Sequence, residues 1–224
     1  AYFDNLRNVY RYTSTLSFHF ALLKGKTAFE VNPVDLIAIE CLRVFEPDIY
    51  KEIARSKEIF TKNKPDRYER DKEFTTAFIK DILDKASTDK RQFVKERIGQ
   101  LFPTIEWTLG GTHYSSGFGD TWLREMRVCH PSNFDKYFQF SIPSGELSNS
   151  DLQNMLSLTS DADGFSSFIL SLKERGIVKN ALSQFESFAD QIPLENGKSY
   201  VKGLLDIGDK IDHESIGFTM FSSN

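Results

Sequence analysis

The sequence predicts an all-α protein, mainly helical and built as an irregular multi-helix bundle, with at most a minor extended segment near residues 139–143 and room for two sub-domains. Three observations lead to that class. Apolar residues recur three and four positions apart along most of the chain, the period that gathers them on one side of a helix. Helix punctuation recurs too, since Asn32-Pro33 and Ser148-Asn149-Ser150-Asp151 each set a capping side chain before an apolar run. Strand-like alternation is limited to Gln139-Phe140-Ser141-Ile142-Pro143, and a lone strand has nothing to pair with.

Taken in order, Asp4 is placed to cap a first helix over Asn5–Lys24, with Leu6, Val9, Leu16, Phe20 and Leu23 on one side and Gly25 as its stop. Asn32, Pro33 and Asp35 open a second helix, whose Leu36-Ile37-Ala38-Ile39 and Cys41-Leu42 are apolar nearly all round and predict the centre of the core. Glu46-Pro47 breaks and restarts the chain, with Ile49, Tyr50 and Ile53 at helical spacing. A charged amphipathic helix is expected over Asp66–Lys85, burying Phe74, Ala77, Phe78 and Leu83. Another follows over Asp89–Leu101 through Phe93, Val94 and Ile98.

Residues 110–119, with four glycines and three hydroxyl side chains, read as a loop and mark the expected boundary between 1–109 and 110–224. Beyond it come short helices over Asp120–Val128 and Ser132–Phe138. A capping box at Ser148–Asp151 opens a helix through Leu152, Met155 and Leu156. Helices over Phe165–Arg175, Ile177–Gln191 and Ser199–Ile211 complete the reading.

Composition bounds the function. With 224 residues, 40% apolar, 27% charged and 20 Phe, the chain is globular with an aromatic-rich interior. No run reaches the ~18 apolar residues of a spanning helix, because Val34–Phe45 carries Asp35, Glu40 and Arg43. Cys41 and Cys129 form no CxxC pair, so a reducing, cytoplasmic setting is expected. A start at Ala1-Tyr2-Phe3 and an end at Phe221-Ser222-Ser223-Asn224 lead to the expectation of a soluble piece of a larger protein.

Motifs of chemistry are sparse. The glycine segment lacks a Gly-x-x-x-x-Gly-Lys-Ser/Thr and a preceding buried strand, so it fails as a P-loop. Asp161-Ala162-Asp163-Gly164 has calcium-loop spacing, but Thr159 and Leu170 stand where end ligands belong; capping by Ser160 or Asp161 is the expectation. His19, His113, His130 and His213 are scattered. Cys129-His130 could join His113 on a metal only if the glycine segment folded back, and a packed Cys is the simpler reading. Ser115, Ser116, His113 and Asp120 lie close in sequence, which is no evidence of triad geometry. No catalytic residue and no metal ligand is assigned.

Two sets of cations remain. Fourteen of the 28 Lys and Arg lie between Lys51 and Arg97, interleaved with ten acids. A solvated, salt-bridged helical face is the plain reading. The alternative is a nucleic-acid-binding module using Lys62, Lys64, Arg67, Arg70 and Lys72, against which Glu69, Asp71 and Glu73 weigh. Arg7 and Arg11, four apart, share one face of the first helix, where pairing with Asp4 or nearby acids competes with a functional role.

Leu6-Arg7-Asn8-Val9-Tyr10-Arg11, followed by Asn32–Tyr50, resembles the region just after the nucleotide-binding core in the KAP family of P-loop NTPases. There an arginine-bearing helix leads to a helix of pattern V-D-x-x-A-x-E-x-L-R-x-F-x-P-x-x-Y, which Val34 to Tyr50 follow. Arg127–Phe138 with Ile142–Ser148 looks like the C-terminal portion of bacterial members. The likeness covers about residues 3 to 152 in patches, mostly helix cores and boundaries.

The resemblance implies an ATPase or GTPase whose Walker A and B segments lie upstream, with ATP or GTP and Mg bound there. This chain would supply a lid-like helical region (1–109) and a C-terminal helical region (110–224), together a non-catalytic regulatory or interaction region serving signalling or phage defence. Its partners would be the upstream core of the same chain and a further protein. Arg7 and Arg11 match arginines of the helix leaning over the nucleotide, where a cation stabilises phosphate charge. The phosphate loop, its Lys and the Mg ligands have no counterpart here, so hydrolysis by this chain alone is not expected.

Overall fold

The computed structural model describes residues 2–25, 28–61, 69–109, 118–141, 146–208 and 210; of residues 69–72 and 107–109 it describes the backbone alone. Among the described residues there are twelve α-helices and no strand, the one β-like contact being an isolated bridge between Lys24 and Phe29. The architecture is all-α. By contacts the chain forms two units, Ala1–Gly25 with Phe29–Ile142, and Lys26–Ala28 with Pro143–Asn224.

The first unit holds α1 (Leu6–Leu22), α2 (Pro33–Phe45), α3 (Pro47–Arg55), α4 (Lys57–Thr61), α5 (Glu69–Asp84), α6 (Arg91–Leu101), α7 (Gly119–Arg124) and α8 (Pro131–Gln139), with a 3₁₀ segment at Pro103–Leu109. Asn32 caps α2 as expected, its side-chain oxygen accepting from the backbone N–H groups of Val34 (3.0 Å) and Asp35 (3.2 Å), an arrangement worth about 1 kcal/mol. Leu36, Ile39 and Leu42 of α2 are buried, each worth about 1.5–3 kcal/mol of transfer free energy. Around them pack Ile49 and Ile53 of α3, Val94 and Ile98 of α6, and Phe134 and Tyr137 of α8. Thr104 is tied to the same unit by a hydrogen bond from its hydroxyl to the Phe60 carbonyl (2.6 Å).

The second unit holds α9 (Asn149–Ser157), α10 (Ala162–Ser171), α11 (Val178–Glu186) and α12 (Gly197–Gly208) around Leu152, Met155, Phe165, Ile169, Phe185 and Ile207. Both expected caps form. Ser148 and Asp151 make a reciprocal capping box, and the Asp161 carboxylate accepts from the Gly164 N–H at 3.0 Å. Gly203 lets α12 approach the start of α10, because a Cβ there would lie 3.1 Å from the Ala162 carbonyl. Gly176, at φ +68°, makes the left-handed turn before α11 that side-chain-bearing residues resist.

Several local expectations shift. Asn5, not Asp4, caps α1, accepting from the Asn8 N–H at 2.9 Å. Val34 and Ile37 are exposed, so α2 is not buried all round. On α5 the buried side is Ile79, Ile82 and Leu83, while Phe74 and Ala77 face solvent. The segment read as extended instead ends a helix: Gln139 closes α8 and Phe140 is its left-handed cap residue at φ 52°; Ile142 and Pro143 lie outside the described residues. Trp122, Val128, Cys129, Phe134 and Tyr137 belong to the first core, in keeping with a contact-defined division at Ile142/Pro143.

Candidate functional site

Helix α1 turns Tyr12 and His19 into the first unit, with Leu16 and Phe20 half-buried beside them. Its opposite side carries large apolar residues. Leu6 (73% exposed), Tyr10 (68%), Phe18 (61%) and Leu22 (51%) stand four residues apart, with exposed Ser14 completing the series. Residues at i and i+4 adjoin on a helix surface, so these five form one ridge along the helix. Exposed Ser17 and Ala21 lie beside it, and α1 contains no acidic residue. Phe3, Val34 and Ile37, also exposed, belong to the same part of the sequence. Sequence reasoning placed Leu6 inward and passed over Tyr10, Phe18 and Leu22; the four-residue ladder was the available signal.

Arg7 and Arg11 share α1 but not their surroundings. Arg11 donates from Nη2 to the Val44 carbonyl in the last turn of α2, and its guanidinium lies 5.8 Å over the Phe45 ring. A cation at a helix C-terminus satisfies a free carbonyl and offsets the dipole there. Arg7 is exposed, and its guanidinium has no hydrogen-bond or ion-pair partner among the described residues.

The polar positions of the α2 pattern point inward. Glu40, fully buried, accepts from Arg43 Nε (3.0 and 3.1 Å) and Nη2 and meets His19 Nδ1 at 2.8 Å. The His19 ring stacks on Phe140 at 3.7 Å. Burial alone would raise the Glu40 carboxyl, but the Arg43 guanidinium holds it below its usual range; burial likewise lowers His19, against the pull of Glu40. Asp35 accepts from Arg127 Nε and from the Val128 N–H, both at 2.8 Å. The Tyr137 hydroxyl accepts from the Asn32 N–H (2.8 Å) and donates to the Met126 carbonyl (2.6 Å). Asp35 and Tyr137 thus tie the start of α2 to the α7–α8 connection, and Glu40 ties α2 to α1.

Burial pushes the Cys41 thiol up to about 11 and the Cys129 thiol up to about 12, so neither is poised as a thiolate at neutral pH. His130 caps α8, its Nδ1 accepting from the Ser132 N–H at 3.3 Å, and burial lowers it to about 4. Among the described residues no three His, Cys, Asp or Glu side chains gather to hold a metal, and no helix is long and apolar enough to cross a membrane.

Lys62, Lys64 and Arg67 lie outside the described residues, as do the side chains of Arg70 and Lys72 and residues 110–117 with His113, Ser115 and Ser116. Five described cations of the same basic stretch pair with acids: Lys51 with Asp48, Lys57 with Asp135, Lys85 with Glu52, Lys90 with Asp89 and Arg91 with Asp84. The geometry thus singles out the outward side of α1. No protein-family model, curated protein or solved structure matches the chain.

Proposed function

We propose that this chain is the non-catalytic interaction region of a bacterial KAP-type P-loop NTPase acting in signalling or phage defence in the cytoplasm, and that the outward side of α1 is its contact surface. The observation that carries the reading is the exposed Leu6, Tyr10, Phe18 and Leu22 ridge. Contiguous apolar patches of several hundred Å² on a soluble protein mark places where something binds. The residues of the V-D-x-x-A-x-E-x-L-R pattern support a scaffold role, since Asp35, Glu40 and Arg43 are engaged with other side chains and the backbone. In this reading the upstream core supplies the Walker segments, the ATP or GTP and the Mg ion. Arg7 is the arginine left available for phosphate, and Arg11 holds the end of α2.

The test pairs two measurements on Arg7→Ala, Tyr10→Glu and Phe18→Glu: nucleotide hydrolysis by the intact protein and thermal unfolding of this chain. The reading expects hydrolysis or its regulation to fall about tenfold or more while the melting temperature holds, since all three side chains are exposed. Unchanged hydrolysis in all three would refute it.

A further inference from the structure

Helix α2 packs against α1, α3 and α6, and one side of it is left uncovered. Val34, Ile37, Ala38, Cys41 and Phe45 make up that side, at the three- and four-residue spacing of a single helix face, and none is charged. Val34 is 72% exposed and Ile37 44%, while the other three are half-buried. Printed contacts fix what borders the stripe. On the α1 side, the Tyr12 hydroxyl donates to the Ile37 carbonyl at 2.7 Å. At the far end, the Phe45 ring stacks on Tyr2 at 4.8 Å and meets exposed Phe3 edge-on at 5.6 Å; Tyr2 in turn meets exposed Phe93 of α6 at 5.4 Å. The stripe therefore runs about 17 Å along α2 and ends on open aromatic rings.

One cation on its α6 border is left without an acid. The Arg97 guanidinium lies 5.2 Å over the Phe93 ring, and its Nε is buried with no acceptor. It stands near the middle of the stripe: burial and Glu46 push the Cys41 thiol up, and the Arg97 charge acts against them. The neighbouring carboxylates are already engaged. Glu46 accepts from the Tyr2 hydroxyl at 2.6 Å, Glu40 holds Arg43 and His19, and Asp89 pairs with Lys90. A buried guanidinium N–H without an acceptor is unfavourable, and a carboxylate brought from outside relieves it.

We infer that this side of α2 docks an amphipathic helix of a partner protein, whose apolar side lies along Val34, Ile37 and Cys41 and whose carboxylate meets Arg97. The spacing of the stripe is that of a ridge which another helix packs upon. A second copy of this chain, docked stripe to stripe, would bring no charge on the stripe itself and a second Arg97 beside it. This surface is separate from the outward side of α1, so Arg7 stays open.

The test is selection from a displayed library of helices about 16 residues long, with leucines fixed at alternating three- and four-residue spacing and every other position randomised. Selected helices should carry Asp or Glu at one fixed place beside the leucines, and a synthetic copy should bind the chain by fluorescence anisotropy. Val34→Asp and Ile37→Asp should each weaken that binding by about tenfold or more while the melting curve holds, since both side chains are exposed. Arg97→Gln should abolish the preference for the acidic peptide over its Lys counterpart, and Arg97→Glu should reverse it. Tyr10→Glu should change nothing. Selection that yields no binder, binders indifferent to Ile37→Asp, or binders without an acid overturns the proposal. Self-association of the chain that Ile37→Asp abolishes assigns the stripe to a second copy and also overturns it. Each of these outcomes leaves the reading of α1 untouched, because that reading turns on Tyr10 and Phe18.

Discussion

Glu40→Gln is the most incisive perturbation of the first unit. The side chain has no solvent exposure, and its two oxygens serve Arg43 Nε, Arg43 Nη2 and His19 Nδ1 at once. Glutamine keeps the size and one acceptor, but it removes the charge and turns an N–H group toward two donors. Breaking a buried ion pair from one side costs about 3–5 kcal/mol. Arg43 retains 27% exposure and recovers part of its hydration, so the lower end, about 3 kcal/mol, is the expected loss. For a unit of this size that lowers the melting temperature by about 10 °C. Trp107 and Trp122 both belong to this unit, so urea unfolding at neutral pH followed by tryptophan fluorescence isolates it. A loss below about 1 kcal/mol would refute the reasoning, because it would mean that the cluster contributes no more than an exposed pair.

Three further outcomes follow from the same geometry. His130 is depressed from 6.5 to about 4 by burial, so the unfolded chain binds the extra proton and stability drops as pH falls from about 6.5 toward 4, by up to about 3 kcal/mol. His130→Asn keeps an N-cap acceptor and should flatten that part of the curve; an unchanged slope between pH 6.5 and 4 would count against the assignment. Tyr137→Phe strips the Asn32 N–H and the Met126 carbonyl of a buried partner and should cost about 1–3 kcal/mol by urea unfolding, whereas exposed Tyr10→Phe should cost nothing in dilute solution. Gly203→Ala should destabilise the second unit by about 1 kcal/mol or more, read from its far-UV circular dichroism transition, since its Cβ meets the Ala162 carbonyl.

Elements whose ends are written in local chemistry were legible. Asn32-Pro33 starts α2, Pro47 starts α3, and Ser148 with Asp151 starts α9, because a cap is decided by residues within one turn. What escaped depends on neighbours distant in the chain. Phe140 looks strand-like in a run of five, yet its place is set by the stack on His19, more than a hundred residues earlier. Phe74 fits the period of a buried face as well as Ile79 does, and only tertiary packing decides between them. The spacing of Arg7 and Arg11 predicts a shared face but not that Arg11 reaches Val44 at the end of the next helix. The α1 ridge was hidden for the opposite reason: the helix has apolar residues on both sides, and pattern alone does not say which of them the core takes.

The central claim, that the outward side of α1 is a contact surface, is tested most directly by hydroxyl-radical labelling of Tyr10 and Phe18. In dilute chain both should label readily, as exposed aromatic rings do, while buried Tyr12 and Phe134 stay protected. In the intact protein, Tyr10 and Phe18 should fall together to the level of those buried rings. If they label equally in every state, the ridge contacts nothing and the account of α1 is wrong.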